Sequence, residues 1–272
     1  MQVVEAKGAR IPIVGLGTWD LRGRECARLV AQAIALGYRH FDTAQLYNNE
    51  REVGEGVRGS GVKREEIFVT TKVAPANLSP HALERSVKES IAALRLGEID
   101  LLLLHWPNKE VPLAETMTAL CRMQQQGFAR HIGVSNYTVA LLEQANRLAT
   151  EPLVCNQFEL HPFLDQTKVI AATRAHGMAV VAYSPIARGG ARQDAVLARI
   201  GEAHGKSAAQ IALRFLVQQD IVVIPRTSKV ERLAENIDLF DFRLSEAEMA
   251  QIAGLAHPGG RIVDWAWSPK WD

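Results

Sequence analysis

The stretch that decides the fold is DLLLLHWP, residues 100–107, in which four consecutive leucines lie between an aspartate and a histidine. An unbroken apolar run of this kind is typical of a strand buried on both faces, as in a parallel sheet covered by helices. The run ends in His105, Trp106 and Pro107. Either His105 is a polar residue where the strand leaves the core, or it does chemistry, and the ends of the other strands must decide between the two.

Seven more short runs rich in β-branched or leucine residues occur along the chain, separated by longer stretches of helical periodicity. These candidate strands lie at residues 13–18, 38–44, 67–73, 131–136, 153–160, 178–185 and 221–227. Residues 81–94 are an example of the helical pattern between them, and a capping box of Ser245 and Glu248 predicts a further helix after the eighth unit.

Strands that alternate with helices favour parallel βαβ units over an all-β domain. Eight such units in about 250 residues are the size of a (β/α)8 TIM barrel. We therefore expect a single α/β domain of this fold over residues 1–272. An open doubly wound sheet is the structural alternative, although it would be larger than is usual for that fold.

Composition narrows the functional classes. The chain has 272 residues and a formal net charge of +1, which provides no charged surface for nucleic acid or an anionic membrane. The first residues lack the apolar core of a signal peptide, and no apolar run reaches the roughly 18 residues of a membrane span. Cys26, Cys121 and Cys155 are scattered without a CxxC pair, which favours a reducing compartment. We expect a soluble, cytoplasmic protein.

Two short motifs suggest nucleotide binding by their spelling alone. GEGVRG, residues 54–59, fits G-x-G-x-x-G, but a polar helical start precedes it where the dinucleotide fingerprint needs a strand. GEAHGKS, residues 201–207, is one residue too short for a P-loop and is better explained by a helix that ends at Gly205 and another that begins near Ser207. The histidines show no HExxH or similar spacing, so we expect no metal site.

The carboxyl ends of all strands in such a barrel converge on one face, where active sites lie. Asp42 and Tyr47 lie at the end of the second strand, Lys72 ends the third and His105 ends the fourth. An Asp–Lys pair often only closes a polar rim. An aspartate, a tyrosine, a lysine and a histidine at the same end of three consecutive strands indicate a catalytic group instead. Later strands end in further polar residues, namely Ser135, Asn136, Gln157, Tyr183 and Ser184.

The four side chains are suited to protonating a developing alkoxide. A tyrosine, with an ordinary pKa of about 10, is a usable acid near neutral pH if its phenolate is stabilised. A lysine ammonium stabilises the phenolate, a carboxylate holds the lysine, and a histidine can orient a substrate oxygen. None of them supplies electrons, so a hydride donor must bind beside them.

With these residues in place, the chain resembles the aldo-keto reductases along essentially its whole length. The matching motifs occur in family order: GLGTW, DTAQLYNNE, TTK, LLLLHWP, GVSNY, NQFELHP, YSPIARGG and IPRTSKVERLAENIDLF. The short outline and the final PKWD are most similar to the bacterial 2,5-diketo-D-gluconate reductases and methylglyoxal-reducing members. The loop after the fourth strand is short, PNKEVPL, which argues against bulky steroid-type substrates.

The resemblance implies NADP(H) as the cofactor and a role for each matched residue. Tyr47 would donate the proton with help from Lys72 and Asp42, and His105 would orient the carbonyl, which explains why a buried strand ends in histidine. The residues implied at the cofactor are Ser135, Asn136 and Gln157 at the nicotinamide amide, Tyr183 on its ring, Arg226, Thr227 and Arg232 at the 2′-phosphate, Glu235 and Asn236 at adenine, and Ser184 and Ile186 elsewhere along it.

One part of that set departs from the family pattern, because many members carry lysine where Arg226 stands. Arginine can still bind a phosphate through its planar fork. The alternative is that the basic residues after the eighth strand, Arg226, Lys229 and Arg232, are only the solvated start of a helix.

We expect the substrate to meet flat apolar walls. Trp19 and Trp106 would provide them, together with Trp265 and Trp267 of the tail, unless the tail indoles only seal the side of the barrel. The expected substrates are small aldehydes, α-dicarbonyl compounds or keto-sugar acids. We also expect a monomer with no nucleic-acid or membrane partner. Two other functions stay open: an aldolase with Lys72 as its Schiff-base lysine, and a cofactor-binding regulatory subunit of reductase fold.

Overall fold

The computed structural model describes residues 2–272 and begins with a hairpin that the sequence analysis missed. Strand β1 (Val3–Ala6) pairs antiparallel with β2 (Ala9–Pro12). Lys7 and Gly8 form the two-residue turn, both with positive φ, which suits the twist of a tight hairpin. Buried residues of the hairpin pack against the inside of the barrel, so the hairpin closes the amino-terminal end of the barrel.

In the described part of the chain, eight parallel strands follow and curl into a barrel. They are β3 (Leu16–Gly17), β4 (His40–Asp42), β5 (Phe68–Val73), β6 (Ile99–Leu104), β7 (Ala129–Ser135), β8 (Leu153–Glu159), β9 (Ala179–Tyr183) and β10 (Val222–Val223), paired in this order. Parallel bridges from Val14 to Val223 and from Gly17 to Arg226 join the first strand to the last. The Gly15 N–H donates to the Val223 carbonyl at 2.8 Å within this seam. The predicted (β/α)8 fold is confirmed.

Ten α-helices within residues 2–272 surround the strands. They are α1 (Gly23–Ala35), α2 (Glu50–Gly59), α3 (Pro80–Leu94), α4 (Leu113–Gln125), α5 (Val139–Leu148), α6 (Thr167–Ala175), α7 (Ala195–His204), α8 (Ala208–Val217), α9 (Val230–Ile237) and α10 (Glu246–Ala253). Gly205 ends α7 in the left-handed region and Ser207 caps α8, as predicted for residues 201–207. The Ser245–Glu248 capping box begins α10, and residues 54–59 lie within α2, so both helix predictions are confirmed.

Strand β6 shows why four leucines in a row belong here. Leu101 and Leu103 belong to the cluster inside the barrel, whereas Leu102 and Leu104 belong to the cluster between the barrel and its helices. Successive side chains of a strand point to opposite faces, so a strand covered on both sides needs apolar residues at every position. The strand therefore delivers His105 to the carboxyl-terminal face. Within residues 2–272, no helix has the length and apolar character needed to cross a membrane.

Candidate active site

Three adjacent strands bring the four catalytic candidates together. Asp42 ends β4, Lys72 lies in β5, and His105 directly follows β6. Tyr47 is carried by a single 3₁₀ turn, Gln45–Tyr47, just after β4. Gln45, which the sequence analysis did not select, fixes this turn because its side-chain oxygen accepts from the Ala74 N–H at 2.9 Å.

Lys72 is the centre of the hydrogen-bond network. Its side chain is fully buried, and its Nζ donates to Asp42 Oδ1 and, at 2.9 Å, to the Thr43 carbonyl. The same Nζ lies 3.5 Å from the Tyr47 hydroxyl oxygen. The second oxygen of Asp42 accepts from Gln157 Nε2 at 2.8 Å. A chain of contacts therefore connects Gln157, Asp42, Lys72 and Tyr47.

Burial dominates the electrostatics of the site. It raises the pKa of Tyr47 well above the ordinary value, and the Asp42 charge raises it further. Burial lowers the pKa of Lys72, although the Asp42 carboxylate opposes that shift. Burial and then the Lys72 charge lower the pKa of His105 well below its ordinary value. The shifts of Tyr47 and His105 both favour the neutral side chains, which lie beside the salt bridge of Lys72 and Asp42.

The rings of Tyr47 and His105 stand nearly perpendicular, with centroids 5.6 Å apart. The His105 Nδ1 is buried and has no hydrogen-bond partner within residues 2–272. A buried imidazole nitrogen without a partner is costly, so its presence at a strand end favours a functional role over a structural one.

The polar residues at the carboxyl ends of β7, β8 and β9 form a second group of contacts. Asn136, with φ of 63°, donates from Nδ2 to the His105 carbonyl at 2.9 Å. The Tyr183 hydroxyl donates to Asn136 Oδ1 at 2.8 Å. The Ser135 hydroxyl donates to the Gln157 carbonyl at 2.9 Å, which ties β7 to β8 beneath the site.

These residues surround a cavity of about 460 Å³ at the carboxyl-terminal face. The predicted residues that line it are Trp19, Asp42, Tyr47, His105, Trp106, Asn136, Gln157, Tyr183, Ser184, Ile186, Arg226, Thr227, Arg232, Trp265 and Trp267. Lys72 and Ser135 are buried behind them. On helix α9, Asn236 is buried, and Glu235 is held by Arg192 through two hydrogen bonds of 2.9 and 3.0 Å.

Two further arginines line the cavity and were missed by the sequence analysis. Arg188 and Arg192 lie in the turn after β9, and the Arg188 guanidinium sits 5.2 Å from the centre of the Trp19 ring. With Arg226 and Arg232, four arginines line the cavity, whereas Asp42 is the sole acidic residue among its lining residues in the described chain. The glycine-rich, basic spelling ARGGAR, residues 187–192, was the available signal. A cavity with this charge is suited to a ligand that carries phosphates.

Indole rings form the mouth of the cavity. Trp267 packs edge-on against Trp106 with centroids 4.9 Å apart, and Trp265 stacks on Trp267 at 6.3 Å. Both tail indoles are about half exposed, at 52% each. Residues 254–272, which carry both indoles, contain no regular helix or strand.

A larger cleft of about 840 Å³ lies elsewhere, on the outer face between α6, α8 and the chain's last residues. None of the four catalytic candidates lines it. Size alone would favour this cleft, but the chemistry lies in the smaller cavity, where the strand ends meet.

The chain matches known proteins over most of its length. The model described as the Aldo/keto reductase family matches residues 13–257. Methylglyoxal reductase DkgB of Yersinia pestis is 40% identical over 265 residues, which cover 96% of this chain and 99% of the relative. Morphine 6-dehydrogenase of Pseudomonas putida is 42% identical over 262 residues, covering 91% and 88%. A crystal structure assigned as a 2,5-diketo-D-gluconic acid reductase B is 47% identical, with a TM-score of 0.98 and coverage of 100% and 98%.

Proposed function

Because the chain belongs to the aldo/keto reductase family, we propose that it reduces aldehyde and ketone carbonyls to alcohols with NADPH as its hydride donor. The observation that carries the proposal is the position of Tyr47. Its hydroxyl oxygen lies 3.5 Å from the Lys72 ammonium, at a cavity that Tyr47 and His105 both line. A protonated tyrosine beside a buried cation is a proton donor for the alkoxide that forms when a carbonyl accepts hydride.

Each residue then has one task in the reaction. When bound, NADPH supplies the hydride. Neutral His105 donates a hydrogen bond to the carbonyl oxygen and holds it near the Tyr47 hydroxyl. Tyr47 gives its proton to that oxygen, and the ammonium of Lys72 stabilises the phenolate left behind. Asp42 keeps Lys72 charged and in place, while Gln157 holds the other oxygen of Asp42.

The chain's own side chains fit a nicotinamide dinucleotide phosphate. Amide groups and a tyrosine ring line the cavity beside Tyr47, and arginines line it after β9 and β10. We assign Asn136, Gln157 and Tyr183 to the nicotinamide with Ser135 supporting them, Arg226, Thr227 and Arg232 to the 2′-phosphate, Glu235 and Asn236 to adenine, and Ser184 and Ile186 to the stretch between. Arginine forks bind phosphate oxygens in pairs, which favours NADPH over NADH.

We propose small aldehydes and α-dicarbonyl compounds as the preferred substrates, with keto-sugar acids as a further class. An adjacent carbonyl withdraws electrons and makes its neighbour a better hydride acceptor. Residues 107–112, between β6 and α4, are too few to build a deep wall around a bulky substrate. The relatives named methylglyoxal reductase and 2,5-diketo-D-gluconic acid reductase support the same classes.

The test is NADPH oxidation by the purified protein with methylglyoxal, simple aldehydes, keto-sugar acids and bulky simple ketones. We expect NADPH loss matched by alcohol formation, fastest with the electron-poor carbonyls. Covalent trapping of a carbonyl on Lys72 by borohydride would instead support the aldolase, which the burial of Lys72 disfavours. Tight NADPH binding without turnover of any carbonyl would support the regulatory subunit. Faster turnover of bulky simple ketones than of methylglyoxal would contradict the substrate assignment.

A further inference from the structure

Strand β8 ends in a carboxylate that the reaction does not use. Glu159 is fully buried, and it lies two residues after Gln157 on the same face of the strand. Its Oε1 accepts from the backbone N–H of Ile262 at 2.7 Å and lies 3.0 Å from His161 Nε2. Its Oε2 accepts from the backbone N–H of Val263 at 2.8 Å. Both oxygens are therefore occupied, and two of the three donors belong to the irregular tail.

Glu159 remains charged in this position. Burial raises its pKa, but the hydrogen bonds from His161 and from the two backbone N–H groups outweigh burial and hold the pKa of Glu159 below its ordinary value. The Arg261 guanidinium also lies 4.0 Å from Oε2. A buried charge is expensive unless it is fully hydrogen-bonded, so the tail and the carboxylate depend on each other.

The tail segment that Glu159 anchors at Ile262 and Val263 continues into the cavity. Val263, Trp265 and Trp267 all line it, although their segment has no helical or strand hydrogen bonds of its own. Gly260 fixes the approach to the anchor, because a Cβ at that position would lie 1.8 Å from the Phe163 carbonyl oxygen. The anchor at Ile262 and Val263 and the contact of Trp267 with Trp106 hold the two ends of this segment, and the Trp265 N–H donates to the Ser268 hydroxyl at 2.8 Å between them.

We propose that Glu159 is a specificity-determining positioning residue, which holds Ile262 and Val263 and thereby sets the indoles of Trp265 and Trp267 at the mouth of the substrate cavity. This inference rests on the proposed function, since specificity is read from carbonyl reduction. In this proposal the two indoles contact the part of the substrate that lies away from the carbonyl group. A substrate with an apolar ring reaches the indoles, whereas a substrate with a short alkyl chain does not.

The test is Glu159→Gln with a matched pair of substrates, propanal and 3-phenylpropanal. A glutamine side chain has one acceptor oxygen, so its NH₂ group would face one of the two tail N–H donors. We expect KM for 3-phenylpropanal to rise about tenfold, the size of one lost charge-assisted hydrogen bond, and KM for propanal to change less than about twofold. The Kd for NADPH should be unchanged, because neither Glu159 nor the two indoles is among the residues assigned to the cofactor.

Asp100→Asn is the matched control. Asp100 is also a buried carboxylate that accepts a backbone N–H, from Val69 at 2.9 Å, but it lies at the start of β6, at the opposite end of the barrel. We expect this variant to lose stability and to keep the wild-type ratio of the two KM values. If both variants change the ratio equally, Glu159 has only a structural role and the proposal is wrong.

A second measurement does not depend on activity. Trypsin should cut Glu159→Gln after Arg261 faster than wild type, which intact mass detects as the loss of residues 262–272. Faster cutting with an unchanged KM ratio would overturn the specificity role, and unchanged cutting would overturn the anchor itself. If the wild-type protein reduced no carbonyl, the proposed function would fail while the cutting rate still tested the anchor.

Should Glu159→Gln not fold, Gly260→Ala displaces the same segment, and an unchanged KM ratio in that variant would overturn the proposal.

Discussion

Tyr47 and Lys72 have nearly the same ordinary pKa, about 10 and about 10.4, and their shared burial separates the two values. Burial raises the pKa of Tyr47 and lowers the pKa of Lys72, because it disfavours whichever form is charged. The phenol therefore keeps its proton at neutral pH and releases it only to a base as strong as an alkoxide. The Asp42 carboxylate opposes the burial shift of Lys72 and accepts a hydrogen bond from its Nζ. This arrangement is suited to an acid rather than a base.

Replacing Tyr47 by phenylalanine tests that role. The variant keeps the ring and its packing against His105 but has no proton to give. We expect kcat to fall about a hundredfold to ten-thousandfold, the usual contribution of a positioned general acid, while the Kd for NADPH stays the same. Single-turnover kinetics and a fluorescence titration with NADPH measure the two quantities. Near-normal turnover of a good substrate would remove Tyr47 from the mechanism.

Gln157 has two possible roles that a single variant separates. Its Nε2 donates to Asp42, yet its side chain also lines the cavity where the nicotinamide is assigned. If Gln157 only contacts the cofactor, Gln157→Leu would raise the Kd for NADPH and leave kcat at saturating NADPH unchanged. If Gln157 also supports Asp42, one Asp42 oxygen loses its hydrogen-bond partner in the variant. We expect this second case, with kcat at saturating NADPH about tenfold lower. An unchanged saturated kcat would limit Gln157 to binding.

At the scale of elements, helix α9 is expected to distinguish NADPH from NADH. Arg232 lies on its first turn and lines the cavity. In Arg232→Glu the 2′-phosphate of NADPH would face a carboxylate in place of the paired N–H donors of a guanidinium, whereas NADH has no phosphate there. We therefore expect the Kd for NADPH to rise about a hundredfold and the Kd for NADH less than about threefold.

Lys229→Glu reverses the same charge three residues earlier, at an exposed position that does not line the cavity. We expect this control to weaken NADPH binding far less than Arg232→Glu does. Titrations of both variants with both cofactors make the comparison. Equal losses for NADPH and NADH in Arg232→Glu would contradict the assignment of the 2′-phosphate.

The tail is the second element with a role that can be tested by itself. Deleting residues 264–272 removes Trp265 and Trp267 from the mouth of the cavity, together with the Asp272 carboxylate that accepts from the Val139 N–H at the start of α5. We expect a large rise in substrate KM or a changed order of substrates, with the Kd for NADPH nearly intact. A lower melting temperature with the order of substrates unchanged would show that the tail only seals the barrel.

The elements differ in how far the sequence predicts them. Strand β6 was predictable because its leucines alternate between two apolar environments, and any strand end in a parallel barrel falls on the same face. The hairpin of β1 and β2 was not, since its strands are four residues long and its turn, Lys7–Gly8, lacks the usual Asn-Gly or Asp-Gly spelling. The bond from Gln157 to Asp42 joins residues 115 apart in the chain, and nothing local specifies it. The path of Arg188 over Trp19 is likewise set by tertiary packing.

At the scale of the whole molecule, the amino-terminal part of the barrel holds a buried histidine. His40 is 1% exposed, its Nδ1 lies 3.2 Å from the Pro12 carbonyl oxygen, and its Nε2 lies 3.1 Å from the Thr70 hydroxyl. A carbonyl can only accept, so Nδ1 carries the proton and Nε2 accepts from Thr70. Burial lowers the pKa of His40 to about 4, even though the Asp42 charge opposes the shift.

This shift makes the stability of the barrel depend on pH. In the unfolded chain His40 titrates near its ordinary pKa of about 6.5, so below that pH the unfolded state binds a proton that the folded state does not. The free energy of unfolding should therefore fall as the pH falls from about 6.5 to about 4, by up to about 3 kcal/mol from this residue, and should show no effect of His40 above about pH 7. Urea unfolding at pH 7 and at pH 5 measures the difference.

His40→Asn separates this effect from that of the carboxylates. The asparagine amide can still donate to the Pro12 carbonyl but cannot titrate, so the variant should be less stable than wild type at pH 7, because Thr70 loses its acceptor and a small cavity remains. Between pH 7 and pH 5 it should lose about 2 kcal/mol less than wild type, since with a folded pKa near 4 about two thirds of the histidine effect has developed at pH 5. Equal losses in the two proteins would mean that His40 titrates normally inside the barrel, which its burial between Pro12 and Thr70 argues against.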